Sequence, residues 1–217
     1  ALLYPCEPRG GGGLRAARAN AARDAGMTRR ALIAILSARL YAQRHVVLYA
    51  CAAALAVGLV QPHGAVGPIV FCSLLGIAMA LTQSPGRYLH LDYCEQSAPL
   101  FGRELARAKA LVPCIAAALA TVAYAGAQLA GGGSVAGVAL PIVLAAVIAS
   151  TLIALSATIR RGYARALYVL LAAAASGAAY ALAVGARSIP GELAFCAIVS
   201  FFALRQYGEA LARYDPT

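Results

Sequence analysis

Residues 110–130 read ALVPCIAAALATVAYAGAQLA, twenty-one positions with no charged side chain. At 1.5 Å per residue such a helix is as long as the hydrocarbon core of a bilayer is thick, about 30 Å. Two further runs repeat the pattern, at about 134–159 and 164–186. The second of these carries only Arg165 near its start. Around these three clear runs stand three others: about 46–60, about 65–82, and 189–204. The last is the weakest, because only twelve uncharged residues separate Glu192 from Arg205. It spans with Glu192 at one interface and Arg205 snorkelling at the other, or it is re-entrant.

Composition agrees with a membrane chain. Of 217 residues, 62% are hydrophobic and 12% charged, and mean hydropathy is +0.75. A soluble domain carries about 25% charge. The net charge of +10 does not require nucleic acid. If the N-terminus is inside and six spans follow, seventeen of the eighteen basic residues fall on the cytoplasmic side and only Arg187 outside. Omitting one span inverts everything downstream, so this partition supports six. Cys51, Cys72, Cys114 and Cys196 lie inside apolar runs, as small hydrophobes do, and no CxxC motif occurs.

The expected fold is therefore all-α. It is a polytopic membrane protein with six transmembrane helices, an N-terminal amphipathic interfacial helix and a cytoplasmic elbow helix between spans two and three. Residues 28–213 form the membrane domain. Residues 1–27, with Gly10 to Gly13 and scattered arginines, read as a disordered basic arm or a non-native extension ahead of a start at Met27. From Thr28, the spacing of Leu32, Ile35, Leu36, Leu40 and Tyr41 among Arg29, Arg30, Arg39 and Arg44 predicts a basic helix. It lies in the headgroup plane or extends the first span.

Catalytic patterns are missing from the sequence. His45, His63 and His90 lie outside the span centres, and no two have ligand spacing, so neither a haem bundle nor a metal site is expected. There is no HExxH, no GxxxxGK[ST] and no clustered aspartates. Pro113 and Pro141 sit near the ends of their runs. Glu192 reads as an interfacial acid at a helix start, or less readily as part of an ion path. The small residues Ala172 to Ala179 serve close helix packing or line a cavity. Ser73, Tyr124, Ser176 and Tyr180 are the candidate substrate-path residues.

The one long connection, 83–109, is different. It mixes Arg87, His90, Asp92, Tyr93, Glu95, Ser97 and Pro99, then runs into Arg103-Glu104-Leu105-Ala106-Arg107-Ala108-Lys109. An exposed, mixed-charge segment held between two spans suits docking to a soluble partner, or rests on headgroups. The order of Glu95, Pro99 and the basic stretch 103–109, with the amphipathic N-terminal helix and Arg160-Arg161 between spans four and five, resembles the membrane subunit of a type-2 ABC exporter. Glu95-Gln96-Ser97 replaces that family's usual acid–x–Gly–Thr.

The resemblance implies a permease with no cofactor of its own. ATP and Mg would be bound by a cytoplasmic ATPase subunit docking on Tyr93, Glu95, Ser97, Arg103 and Glu104. The permease would pair with a second copy or a paralogous membrane subunit in the bacterial inner (plasma) membrane, both termini cytoplasmic, with the lipid bilayer as surroundings and no nucleic acid. A hydrophobic or amphipathic substrate would be exported. A structural or anchoring subunit and a secondary transporter are the rival classes.

Overall fold

The computed structural model describes residues 30, 32–60, 66–84, 102–131, 139–185 and 188–212. Every regular element among them is a helix. α1 is Leu32–Ala42, α2 Arg44–Val60 and α3 Val66–Leu81. α4 is Gly102–Ala130, α5 Ala139–Thr158 and α6 Tyr163–Tyr180. A π-helical turn, Ala181–Gly185, ends α6, and α7 runs Ile189–Ala212.

Four of these, α4 to α7, are long and apolar enough to cross a membrane. A fifth crossing is available if α1 and α2, bent by 63° at Gln43, count as one broken span. α3 is apolar but has 16 residues, just under the 17–25 usual for a span. This set of helices fits a multi-pass membrane protein.

Two helices extend beyond their apolar runs, and one cause explains both. Hydropathy marks where the apolar stretch starts, whereas backbone hydrogen bonding marks where the helix starts. α4 begins at Gly102, two turns before the apolar run. Pro113 is therefore inside the helix and fully buried rather than near its end. It removes one intrahelical hydrogen bond there. Likewise α7 continues past Arg205 to Ala212, so it has the length to cross that its twelve-residue uncharged core lacks.

α5 is the central helix. It packs against α3, α4, α6 and α7, and 67% of its apolar window is buried, against 17% for α6 and for α7. α2 lies on the periphery, packed chiefly on α4. Small residues are prominent in the interior, as at Ala54, Ala116, Ala120, Ala146, Ser150 and Ala179, beside larger ones such as Val147 and Leu155. Leu48, Leu59, Leu119, Leu170, Phe201 and Phe202 point outward. In water this arrangement loses the hydrophobic driving force; in lipid it is favoured, because close backbone approach supplies the packing energy.

Gly58 and Gly76 show how close that approach is. A Cβ on Gly58 would stand 2.8 Å from Ala127 Cβ and 2.8 Å from the Tyr124 carbonyl oxygen, so α2 meets α4 backbone to backbone. A Cβ on Gly76 would run into Thr151 Oγ1, where α3 meets α5. Beside the first crossing, Gln128 Nε2 donates to the Gly58 carbonyl at 2.7 Å and lies 3.5 Å from the Tyr124 hydroxyl.

Candidate functional site: a polar joint at the basic end of the bundle

The core divides into two clusters along the bundle. One gathers Ala80, Ala106, Leu155, Ala203 and Tyr207 around the ends of α3 and α5 and the start of α4. All of Arg39, Arg44, Arg107, Lys109, Arg160, Arg161, Arg165 and Arg205 belong to that end. At the opposite end, around Gly58, Gln128 and Glu192, no Lys or Arg occurs among the described residues.

The basic end holds a buried polar joint. Arg39, Gln43 and Gln83 are 2%, 1% and 6% exposed. Arg39 Nη1 donates to Gln83 Oε1 at 3.2 Å, and Gln83 Nε2 donates to Gln43 Oε1 at 2.7 Å. The Gln43 amide nitrogen Nε2 has no hydrogen-bond partner among the described residues. Backbone bonds Gln43 N to Arg39 O and Val47 N to Gln43 O, each 3.0 Å, carry the chain around the bend. On the far side of the joint α3 ends in a hydroxyl-wrapped turn: Thr82 Oγ1 donates to Met79 O at 2.7 Å and Ser84 Oγ to Leu81 O at 2.9 Å. The three side chains thus clasp the α1–α2 bend to the point where the chain leaves α3.

Sequence reasoning missed this joint. It placed Arg39 among the headgroup-facing charges, whereas Arg39 is buried. Helical spacing carried the signal: Arg39 and Gln43 continue the stripe of Leu32, Ile35 and Leu36, all partly buried.

Glu192 opens α7 as expected, and its side chain is fully buried against the protein. Cys196 Sγ donates to its Oε1 at 3.2 Å, and Oε2 has no hydrogen-bond partner among the described residues.

Of the candidate path residues, Ser73, Tyr124 and Ser176 are buried and Tyr180 is partly so. Ser73 is fully buried and its Oγ has no hydrogen-bond partner among the described residues; Tyr124 is buried, with its ring 5.8 Å from that of Phe71. Ser176 donates to the Ala173 carbonyl at 2.7 Å, so its hydroxyl is used within α6. Tyr180 is partly buried against the same core cluster as Tyr124. The small-residue stretch of α6 divides by face: Ala172, Ser176 and Ala179 are buried, while Ala173, Ala174 and Gly177 are exposed.

Of the candidate docking residues, Tyr93, Glu95 and Ser97 lie outside the described residues. Arg103 and Glu104 fall in the first turn of α4. Next to that turn is a cleft of about 450 Å³ between α4 and α7, lined by Ala106, Arg107, Leu204, Arg205, Gly208 and Glu209. Arg205 Nε pairs with Glu209 Oε1 at 3.0 Å on its exposed rim.

A second cleft, about 480 Å³, opens between α6 and α7. Both helices pack on α5 and barely on each other. Among the described residues no group of three His, Cys, Asp or Glu side chains is placed to hold a metal ion. His45, exposed, accepts from Arg44 Nε at 3.3 Å. Comparison with protein-family models, with curated proteins and with solved structures finds no match for this chain.

Proposed function

We propose that the chain is the membrane-spanning permease subunit of an ATP-driven exporter of a hydrophobic or amphipathic substrate. A separate cytoplasmic ATPase subunit supplies the energy and binds ATP and Mg. The observation that carries this reading is the buried joint of Arg39, Gln43 and Gln83. It ties an amphipathic, sharply bent N-terminal helix to the exit of α3, where the 85–101 connection begins. A force applied to that connection reaches α1, α2 and α3 together, because breaking the joint strands buried polar groups.

In this reading α2 to α7 are six spans, with both termini on the cytoplasmic side of a bacterial inner membrane. The collection of basic side chains at one end of the bundle supports that orientation. The partner docks on Tyr93, Glu95, Ser97, Arg103 and Glu104. Nucleotide-driven closure of the ATPase pushes the connection and tilts α3 and α4. Ser73, Tyr124 and Ser176 are packed within one chain, so the substrate route requires a second copy or a paralogous subunit, with a change of tilt to open it.

The test is charge reversal at the connection. Glu95→Lys or Arg103→Glu is expected to cost several kcal/mol of partner binding, the scale of a like-charge clash in a partly desolvated interface. Membrane insertion should be unchanged. Reversals that leave both the ATPase partner and ATP-dependent activity in place would overturn the proposal.

A further inference from the structure

We infer that the cleft between α6 and α7 is a binding site for an anionic phospholipid of the leaflet at the basic end, with an acyl chain in the cleft and the phosphate beside Arg160. The cleft is open sideways and its walls are apolar: Leu171 and Ala178 of α6 face Phe195 and Phe202 of α7, over Ile153 of α5. It exists because α6 presents small side chains where α7 presents phenylalanines. Its volume of about 480 Å³ is within the 300–1,000 Å³ of small-ligand sites.

One end of this apolar trough is polar. The Tyr168 hydroxyl donates to Gln206 Oε1 at 3.0 Å, and both residues line the cleft. The Arg160 guanidinium lies 4.2 Å from the Tyr168 ring centroid, a cation–π contact that fixes the cation at the end of the trough. Among the described residues its buried Nε has no hydrogen-bond partner and no carboxylate pairs with it. Arg161 and Arg165 are exposed beside it.

The tight turn between α5 and α6 holds this cationic group in place. Gly162 adopts φ +60°, a conformation that disfavours other residues, and leaves Arg160 and Arg161 only five and four residues before Arg165 in the first turn of α6. An amphiphile with a negative head and an apolar tail matches the order of these features. A zwitterionic lipid fits the trough but not the charge. A soluble phosphate fits the charge but gains nothing from the trough.

The test uses the full chain in detergent micelles supplied with equal phosphatidylglycerol and phosphatidylcholine, the retained lipid being read by native mass spectrometry. Phosphatidylglycerol is expected to be preferred. Arg160→Gln should lower that preference about fivefold, as for one guanidinium beside an anionic leaflet. Ala178→Phe, which fills the trough, should abolish retention of either lipid, and it keeps the proposal testable if Arg160→Gln does not fold. Glycerol 3-phosphate should not compete. Equal retention of the two lipids by the unaltered chain, or an unchanged preference in Arg160→Gln, would overturn the site. So would displacement by glycerol 3-phosphate, which marks a free-anion site. Loss of a dimer in Ala178→Phe with lipid retention intact would also overturn it, since the trough would then be an interface between copies.

Discussion

Replacing Gln83 by leucine removes the middle of the Arg39–Gln83–Gln43 chain at nearly constant volume. Two hydrogen bonds go: the one from the Arg39 guanidinium and the one to the Gln43 carbonyl oxygen. A hydrogen bond to a charged group contributes about 1.5–3 kcal/mol and a neutral one about 1 kcal/mol, so the expected loss is about 2.5–4 kcal/mol. For a chain of this size that is a fall of roughly 5–15 °C in Tm. The buried thiols Cys72 and Cys196 provide the assay, since a thiol-reactive fluorophore reaches them only on unfolding. The paired variant Gln43→Leu with Gln83→Leu sharpens the test. It removes both partners of the inner bond and the orphaned Gln43 Nε2 as well. Its loss should therefore be smaller than the sum of the single losses, by about 0.5–3 kcal/mol. An unchanged Tm in Gln83→Leu, or strict additivity in the pair, would refute the joint.

Three other outcomes are expected. Gly58→Leu forces a side chain against Ala127 and the Tyr124 backbone and should lower stability by about 1–3 kcal/mol or more, read by the same thiol assay. Cysteine placed at Gly132 should be labelled by an impermeant reagent from outside intact cells, and cysteine at Arg161 should not; labelling at Arg161 would break the six-span topology. Deleting residues 1–26 should leave insertion and partner binding intact, because that stretch has no apolar periodicity to bury; a truncated chain that fails to insert would show that the arm is structural.

Much of the bundle could be read from residue type and spacing. The uncharged runs located α4, α5 and α6, and the arginines marked the end of the bundle at which they collect. The joint was also legible, though only by giving spacing precedence over charge: Arg39 and Gln43 fall on the apolar stripe of α1. Glu192 follows the same rule, standing four residues before buried Cys196 and in register with buried Ala203 and Tyr207. Other features had no local signal. Gly58 and Gly76 are two of 21 glycines, and only the approach of α4 and α5 distinguishes them. The α6–α7 trough depends on both helices choosing α5 over each other, which is a tertiary outcome. The bend at Gln43 involves neither Pro nor Gly, so no helix breaker announced it.

The claim that matters most is that residues 85–101 meet an ATPase. A photo-crosslinking amino acid at Ser97, activated in native membranes, tests it directly. The expected product joins this chain to a cytoplasmic subunit that a photoreactive ATP analogue also labels, and Glu95→Lys should abolish that product while the chain stays in the membrane. Crosslinks from Ser97 only to lipid, or only to other membrane subunits that bind no nucleotide, would contradict the exporter and favour an anchoring subunit.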